Sequence, residues 1–580
     1  MNIERVDSTP PCDLDKWAAT HPPHLPLYGQ YHVRNVQSYW PLYDSLFPEQ
    51  DNTTASLKHP YRVVDLDTVL AEGDEVVKKP VHVKYSPLLD PIKYMIGKYD
   101  RSVERAKVLP RSLDSLNPKS RYNDINNSSY VDAFFCFLSS QLLHKYGFVH
   151  GVDYYGSYLG VQEQFRIDIR DEISYLNDSD VFFDKLRSGE VTCDEYDASL
   201  HVNGGTRANK IRLRSEVDDA VQLNDILDED IGESVDSLAK NSVDSLAVET
   251  ESLEVVYEAQ DNSVRTTSSD SRVSYTDDEE DEEGDEEGDE EEEGEDEEDE
   301  EDEDEDEDDD EEDDEEDDED EEDEEEEGEG DDDDRVVPAY IKDFPVQLIC
   351  LERCDGTLDD LFDHGLMNQE MSMAYLFQVV LILASYQKVF RFTHNDLHTN
   401  NIMYVNTDVE FLHYKFDGHM YSVPTYGRIM KLIDFGRSIY KFRGQTYTSD
   451  CFAPDGDAHT QYNTEPYYNP LKPRVENNFA FDLCRLGTSI YDFVIDISEK
   501  NPQMDEFQKL MHLWCHDDNN KNVLYKKNGD ERYPHFRLYK MIARTVTRHV
   551  PSQQLDYFRQ FMVESITTTD IMDIDALPCL

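Results

Sequence analysis

The sequence predicts an α+β fold in two parts, interrupted by a long acidic insertion. Short alternating or apolar runs at 81–85 and 346–351 read as strands, the second without a polar face. Met371 to Phe392 is largely apolar and long enough for a helix spanning the core of one part. Between the two strand-bearing regions, from about Gly204 to Arg335, apolar content collapses. Of the 58 residues from Asp277 to Asp334, 53 are Asp or Glu and the other five are Gly.

That run dominates the charge of the chain. The 580 residues carry a formal charge of −78, and without the run the remaining 522 are still acidic, at −25. Phosphate contact calls for clustered Lys and Arg, so direct nucleic-acid binding is not expected. The nine cysteines are scattered, odd in number and without a C-x-x-C pair, which argues for a reducing compartment and against a disulfide framework or zinc site. Met1 to Asp7 lacks the pattern of a signal peptide. The longest apolar run, Val379 to Ala384, is far short of the roughly 20 residues that span a bilayer. A soluble, intracellular protein without a membrane partner is expected.

Residues 1–60, rich in Pro, Tyr and His, are expected to form an irregular extension. Residues 61–203 form the first part of the fold. In Pro80-Val81-His82-Val83-Lys84-Tyr85, Val81, Val83 and Tyr85 share one face, and His82 and Lys84 the other. Tyr130 to Tyr146 has Ala133, Phe134, Phe137, Leu138 and Leu142 at helical spacing, and Gly147 supplies the stop. The one acid in that helix, Asp132, is either a partner for Lys84 or an acid favoured by the helix dipole. Phe148 to Leu159 reads as another strand or strand pair.

Residues 204–335 form the insertion. Ser234-Val235-Asp236-Ser237-Leu238-Ala239 recurs eight residues later as Ser242 to Ala247. Two apolar residues per eight cannot offset the entropy of ordering, so disorder is expected. Successive carboxylates lie about 3.5 Å apart along an extended chain, inside a Debye length of roughly 8 Å, and repel. The insertion is either a spacer, or else a docking surface for basic proteins or an intramolecular competitor for a basic substrate-binding face. In the second case, deleting Asp277–Asp334 changes activity on basic substrates and flattens its salt dependence. A spacer leaves both unchanged.

Residues 336–580 return to globular composition. An apolar strand, Val346 to Leu351, is followed by Glu352-Arg353-Cys354-Asp355-Gly356 and a helix start. The helix from Met371 leads directly into His394-Asn395-Asp396-Leu397-His398-Thr399-Asn400-Asn401. After the strand-like Met430 to Ile433 comes Asp434-Phe435-Gly436, and Asp482 opens a later apolar helix running to about Ile497. H-x-D-x-x-x-x-N followed by D-F-G is the framework of a phosphotransferase site. One aspartate accepts a hydroxyl proton, and an asparagine and a second aspartate hold magnesium.

These motifs resemble the eukaryotic-type protein kinase superfamily, and more narrowly its haspin-like branch. Asp434 follows Asn401 by 33 residues, far more than is usual in the superfamily. Leu412-His413-Tyr414-Lys415-Phe416-Asp417-Gly418 within that stretch resembles the haspin insertion. Val83 to Pro91 and Tyr130 to Phe135 are similar to serine/threonine kinases of large DNA viruses, which would place the protein in host cytoplasm or virion. The resemblance covers about residues 80–200 and 340–500. It implies a two-lobed kinase-like fold whose N-terminal lobe carries the acidic insertion, with ATP and Mg²⁺ as cofactors and proteins, including basic ones, as substrates. It further implies Asp396 as proton acceptor, His398 near the γ-phosphate, and Asn401 and Asp434 on magnesium. Lys84 would grip the phosphates, with Glu352 and Cys354 at the adenine. His394, Asp482 and Asp132 would give structural support.

The sequence also departs from the family. No G-x-G-x-x-G precedes Lys84, Asn395 stands in place of the usual arginine, and no A-P-E follows Asp434. His398 replaces the usual lysine, and with an ordinary pKa near 6.5 it would be partly charged at neutral pH. Two other readings remain: a pseudokinase scaffold that binds basic partners, and a small-molecule kinase sharing the H-x-D-x-x-x-x-N loop.

Overall fold

Strands and helices alternate through the chain in a mixed α+β arrangement. The computed structural model describes residues 32–47, 56–71, 73–99, 109–110, 121–193, 337–495, 503–527 and 529–580. The insertion and its repeat lie outside them.

The first elements correct one expectation. Within 1–60, Val33–Gln37 is a strand (β1) and Leu42–Leu46 a helix (α1). Neither has a strong local signal; their order is tertiary. β1 pairs with β6 (Tyr154–Asp168), and Trp40, Leu42 and Tyr43 are buried, with the Trp40 ring 5.7 Å from Tyr130. Three short strands follow, β2 (Arg62–Val63), β3 (Thr68–Leu70) and β4 (Val76–Lys78), in an antiparallel sheet of their own. Val63 and Val69 from that sheet pack with Tyr155, Tyr158 and Cys350.

β5 (Val81–Pro87) carries Lys84 and pairs with β8 (Pro338–Glu352), Lys84 lying opposite Ile349. β6 pairs with the other side of β8, giving the order β1-β6-β8-β5, and β7 (Val191–Cys193) adds to β8. Both long strands exceed their sequence signals. The expected strand at Phe148 begins only at Tyr154, because a turn closes there first, with the Gly151 N–H on the Phe148 carbonyl. Mutual pairing carries β6 and β8 well past the apolar runs that announce them.

Helix α2 (Ser128–Tyr146) lies between this sheet and the rest of the core. Asn127 caps it by accepting the Ser129 N–H, and Gly147 ends it at φ 66°, a left-handed conformation that glycine adopts without strain. Its side chains are buried almost all round through Leu142. Phe135 reaches Tyr386 and Phe390 at 5.1 and 5.4 Å, and the Ser139 hydroxyl bonds that of Tyr386.

The later residues combine the longest helix with short strands and hairpins. β9 (Gly356–Thr357) leads into α3 (Leu358–Asp363), started by a capping box of Thr357 and Asp360. Helix α4 (Gln369–Phe390) is long and apolar enough to cross a membrane by length and composition, but it is buried as a core helix. β10 (Ile402–Asn406) and β13 (Arg428–Leu432) pair residue for residue. Between them β11 (Phe411–Phe416) and β12 (His419–Pro424) form a hairpin. Its turn residues Asp417 and Gly418 both have positive φ, as a tight two-residue turn requires. Helices α5 (Phe481–Val494) and α6 (Arg537–Thr545) pack nearby, and α5 stops three residues short of the expected end.

Candidate active site

The loop from His394 to Asn401 emerges from α4 and is pinned from below by α5. Asp482 is wholly buried, its Oδ2 accepting the His394 N–H at 2.9 Å and its Oδ1 the Asn395 N–H at 2.8 Å. Burial pushes this carboxyl upward, opposed by His394 and by the two N–H groups. Asn395 sits at φ 62°, a conformation that asparagine tolerates better than most residues. Asp482→Ala leaves two buried N–H donors without acceptors. We expect a stability loss of about 3 kcal/mol, from roughly 1.5–3 for each hydrogen bond to a charged group less some relaxation. Urea melts of the variant and the parent measure it.

His394 Nε2 donates to the carbonyl of Ile433 at 2.9 Å, joining the loop to the residue before Asp434. Phe435 is buried among rings, with Phe135, His394 and Phe392 at 4.7, 5.7 and 5.9 Å. Helix α2, the loop and the Asp434 segment are therefore held to one another by a continuous aromatic cluster.

This cluster brings Lys84 between two carboxylates. Lys84 Nζ lies 2.7 Å from Asp132 Oδ2, in a buried hydrogen bond, and 2.9 Å from Asp434 Oδ1, in a partly buried one. Asp132 Oδ1 also accepts the Phe435 N–H at 3.0 Å. Burial works against the Lys84 cation, but Asp132 and Asp434 together hold its pKa well above the ordinary lysine value. Burial likewise raises Asp434, yet Lys84 pulls its pKa below the usual carboxylate range. Of the two readings of Asp132, the geometry favours the partner. The helix is fixed in this pose from its N-terminal end. Asp450 accepts the Ser128 N–H at 2.9 Å and the Arg121 Nε–H at 2.5 Å.

Asn401 is oriented by its amide nitrogen. Nδ2 donates to the Asp396 carbonyl at 2.9 Å and approaches His398 Nε2 at 3.1 Å, and neither contact uses Oδ1. That oxygen and the Asp434 carboxylate are hard donors of the kind magnesium takes, usually beside water and phosphate oxygens. Among the described residues no group of three or more His, Cys, Asp and Glu side chains forms a self-contained metal site. Asn401 and Asp434 are the residues here whose oxygens suit a magnesium ion.

His398 corrects a second expectation. Burial pushes its pKa down to about 4, and its Nε2 is the acceptor for the Asn401 amide. Both the lowered pKa and the Asn401 contact favour the neutral imidazole over the partly charged one expected from an ordinary histidine.

Glu352 is held through its side chain. Its carboxylate is held by the Lys431 ammonium and the Asp153 N–H, and its own N–H bonds the Asp153 carbonyl. The side chain therefore braces the end of β8 and is not directed to a ligand. Cys354 is buried, and its N–H has no bond among the described residues.

Asp396 is nearly buried, its Oδ1 accepting the Tyr539 hydroxyl at 2.8 Å and its Oδ2 3.8 Å from Arg437 Nε. Burial would raise its pKa, but Arg437, His398, Arg485 and the Tyr539 hydroxyl hold it below the ordinary carboxylate value. Tyr539 in turn accepts the Arg485 Nε–H at 2.8 Å. Of these four neighbours the sequence singles out only His398. Arg437 has a usable local signal, its place immediately after Asp434-Phe435-Gly436, whereas Arg485 and Tyr539 have none. Tyr539 lies 143 residues beyond Asp396 on α6, with no motif around it. No protein-family model matches the chain.

Proposed function

We propose that the protein is an ATP-dependent protein kinase transferring the γ-phosphate to serine or threonine, built as a two-lobed kinase fold. The observation that carries the reading is convergence. Lys84, Asp132, Asn401 and Asp434 come from separate stretches of chain, yet Lys84 contacts two of the other three, and Asp396 lies on the same loop as Asn401. In this reading the sheet carrying Lys84 and helix α2 form the N-terminal lobe. The helical residues after Glu352 form the C-terminal lobe, and Glu352 to Cys354 lie at the hinge, with the Cys354 backbone facing adenine.

Asp396 orients the acceptor hydroxyl and takes its proton as the phosphoryl group arrives, a contribution typically of roughly 10²- to 10⁴-fold. Lys84 binds phosphate oxygens, and Asn401 and Asp434 are the residues that would hold magnesium. Magnesium supplies charge neutralisation at the phosphates when bound. The Asn401 amide and the buried Asp482 keep the loop in register.

A pseudokinase scaffold is the second reading. It is favoured by the Tyr539 hydroxyl already seated on Asp396 and by β5, which has only β8 beside it in the main sheet. Binding of a fluorescent ATP analogue with and without Mg²⁺ tests the common part. Magnesium-dependent binding that Lys84→Met weakens supports the nucleotide site, and no binding under either condition removes it.

A further inference from the structure

Arg437 is almost fully buried, with a relative exposure of 2%, yet its Nη1 and Nη2 have no hydrogen-bond partner among the described residues. Its surroundings are fixed. Its carbonyl accepts the Asn395 amide at 3.1 Å, its guanidinium lies 5.8 Å from the Tyr539 ring, and its Nε faces Asp396 Oδ2 at 3.8 Å. Thr448, Thr460 and Tyr467, further along the same stretch, also leave buried hydroxyl oxygens without partners among the described residues.

A guanidinium stays protonated in proteins, and its two-nitrogen edge matches a carboxylate or phosphate bidentately. Asp396 does not fill that edge. It is approached through Nε alone, beyond hydrogen-bond range, and its other oxygen is taken by Tyr539. Asp457 and Cys451 also bear on this guanidinium electrostatically, but neither bonds Nη1 or Nη2 among the described residues, so the fork is left to an oxyanion.

We propose that Arg437 is an oxyanion-binding residue on the acceptor side of the site, receiving the phosphoryl group of the newly phosphorylated hydroxyl. This rests on the kinase reading. In the transfer the acceptor O–H bond breaks and its proton passes to Asp396. A bond forms from that oxygen to the γ-phosphorus, and the bond from phosphorus to the bridging oxygen breaks, its electron pair leaving with ADP. Asp396 is then neutral and no longer balances Arg437. The phosphomonoester dianion beside it does.

The test is binding of inorganic phosphate to the full-length protein with the nucleotide site saturated by Mg·ADP, followed by ³¹P line broadening. Arg437→Gln is expected to weaken phosphate binding at least tenfold while changing ADP affinity less than twofold. Arg437→Lys, which keeps the charge and loses the fork, should fall between. If Arg437→Gln fails to fold, the lysine variant decides: affinity equal to the parent's overturns the proposal. Equal phosphate affinity in parent and glutamine variant, or none in the parent, also overturns it. Competition by phosphorylated but not dephosphorylated casein, lost with Arg437, identifies the phosphorylated product as the source over free phosphate. Arg437-dependent phosphate binding in a protein that binds no Mg·ADP would leave the oxyanion site standing and remove the kinase reading.

Discussion

Asp396→Asn lowers phosphate transfer by at least about 10²-fold and leaves Mg·ATP binding within a few-fold of the parent. The substitution keeps the shape of the side chain and both polar atoms, so the Tyr539 hydroxyl retains an acceptor at the Oδ1 position. What it removes is the negative charge that draws the acceptor proton and faces Arg437 at 3.8 Å. The nucleotide contacts proposed for Lys84, Asn401 and Asp434 do not pass through this carboxylate, which is why binding and turnover should separate. Single-turnover transfer and equilibrium nucleotide binding on the same preparation check the split. Parallel loss of both would mean that Asp396 acts structurally.

Lys84→Met has the largest expected effect on the fold itself. Lys84 balances Asp132 and Asp434, whose side chains are only 2% and 13% exposed. Removing one partner from a buried ion pair typically destabilises by about 3–5 kcal/mol, because the remaining charge is left unbalanced. Here two carboxylates lose their shared cation, so the upper part of that range is expected in chemical melts near neutral pH. Asp434 has a depressed pKa because of Lys84, so its contribution to stability is present above the ordinary carboxylate pKa and fades as pH falls through the depressed one. The destabilisation by Lys84→Met should accordingly shrink in acid. Lys84→Met/Asp132→Leu, which also removes one of the carboxylates, should recover part of the stability but none of the nucleotide binding.

Much of this site was legible from local pattern. His394, Asp396, Asn401 and Asp434 are separated by loop spacings that the backbone respects, and Asp482 falls at a helix start where its carboxylate can reach backbone N–H groups. Helices α2 and α4 carry caps and periodic apolar residues, and their ends were placed within about two residues. The misses share a cause. β1 and α1 are ordered by contacts more than 80 residues away, with Gln162 opposite Val33 and Tyr130 beside Trp40. His398 looked like a titrating side chain because sequence does not report burial. The Glu352 side chain is held by Lys431, 79 residues on, a pairing that no local pattern reports. Tyr539 and Arg485 approach Asp396 only once helices α5 and α6 have packed, and no spacing rule encodes that approach.

The decisive measurement is transfer of label from γ-³²P-ATP to casein or histone by the purified protein with Mg²⁺, beside Asp434→Asn. A working kinase gives magnesium-dependent labelling of serine or threonine that falls at least about 10²-fold in the variant. Magnesium-independent labelling, equal labelling by both proteins, or no labelling alongside intact Mg·ATP binding would contradict the kinase reading.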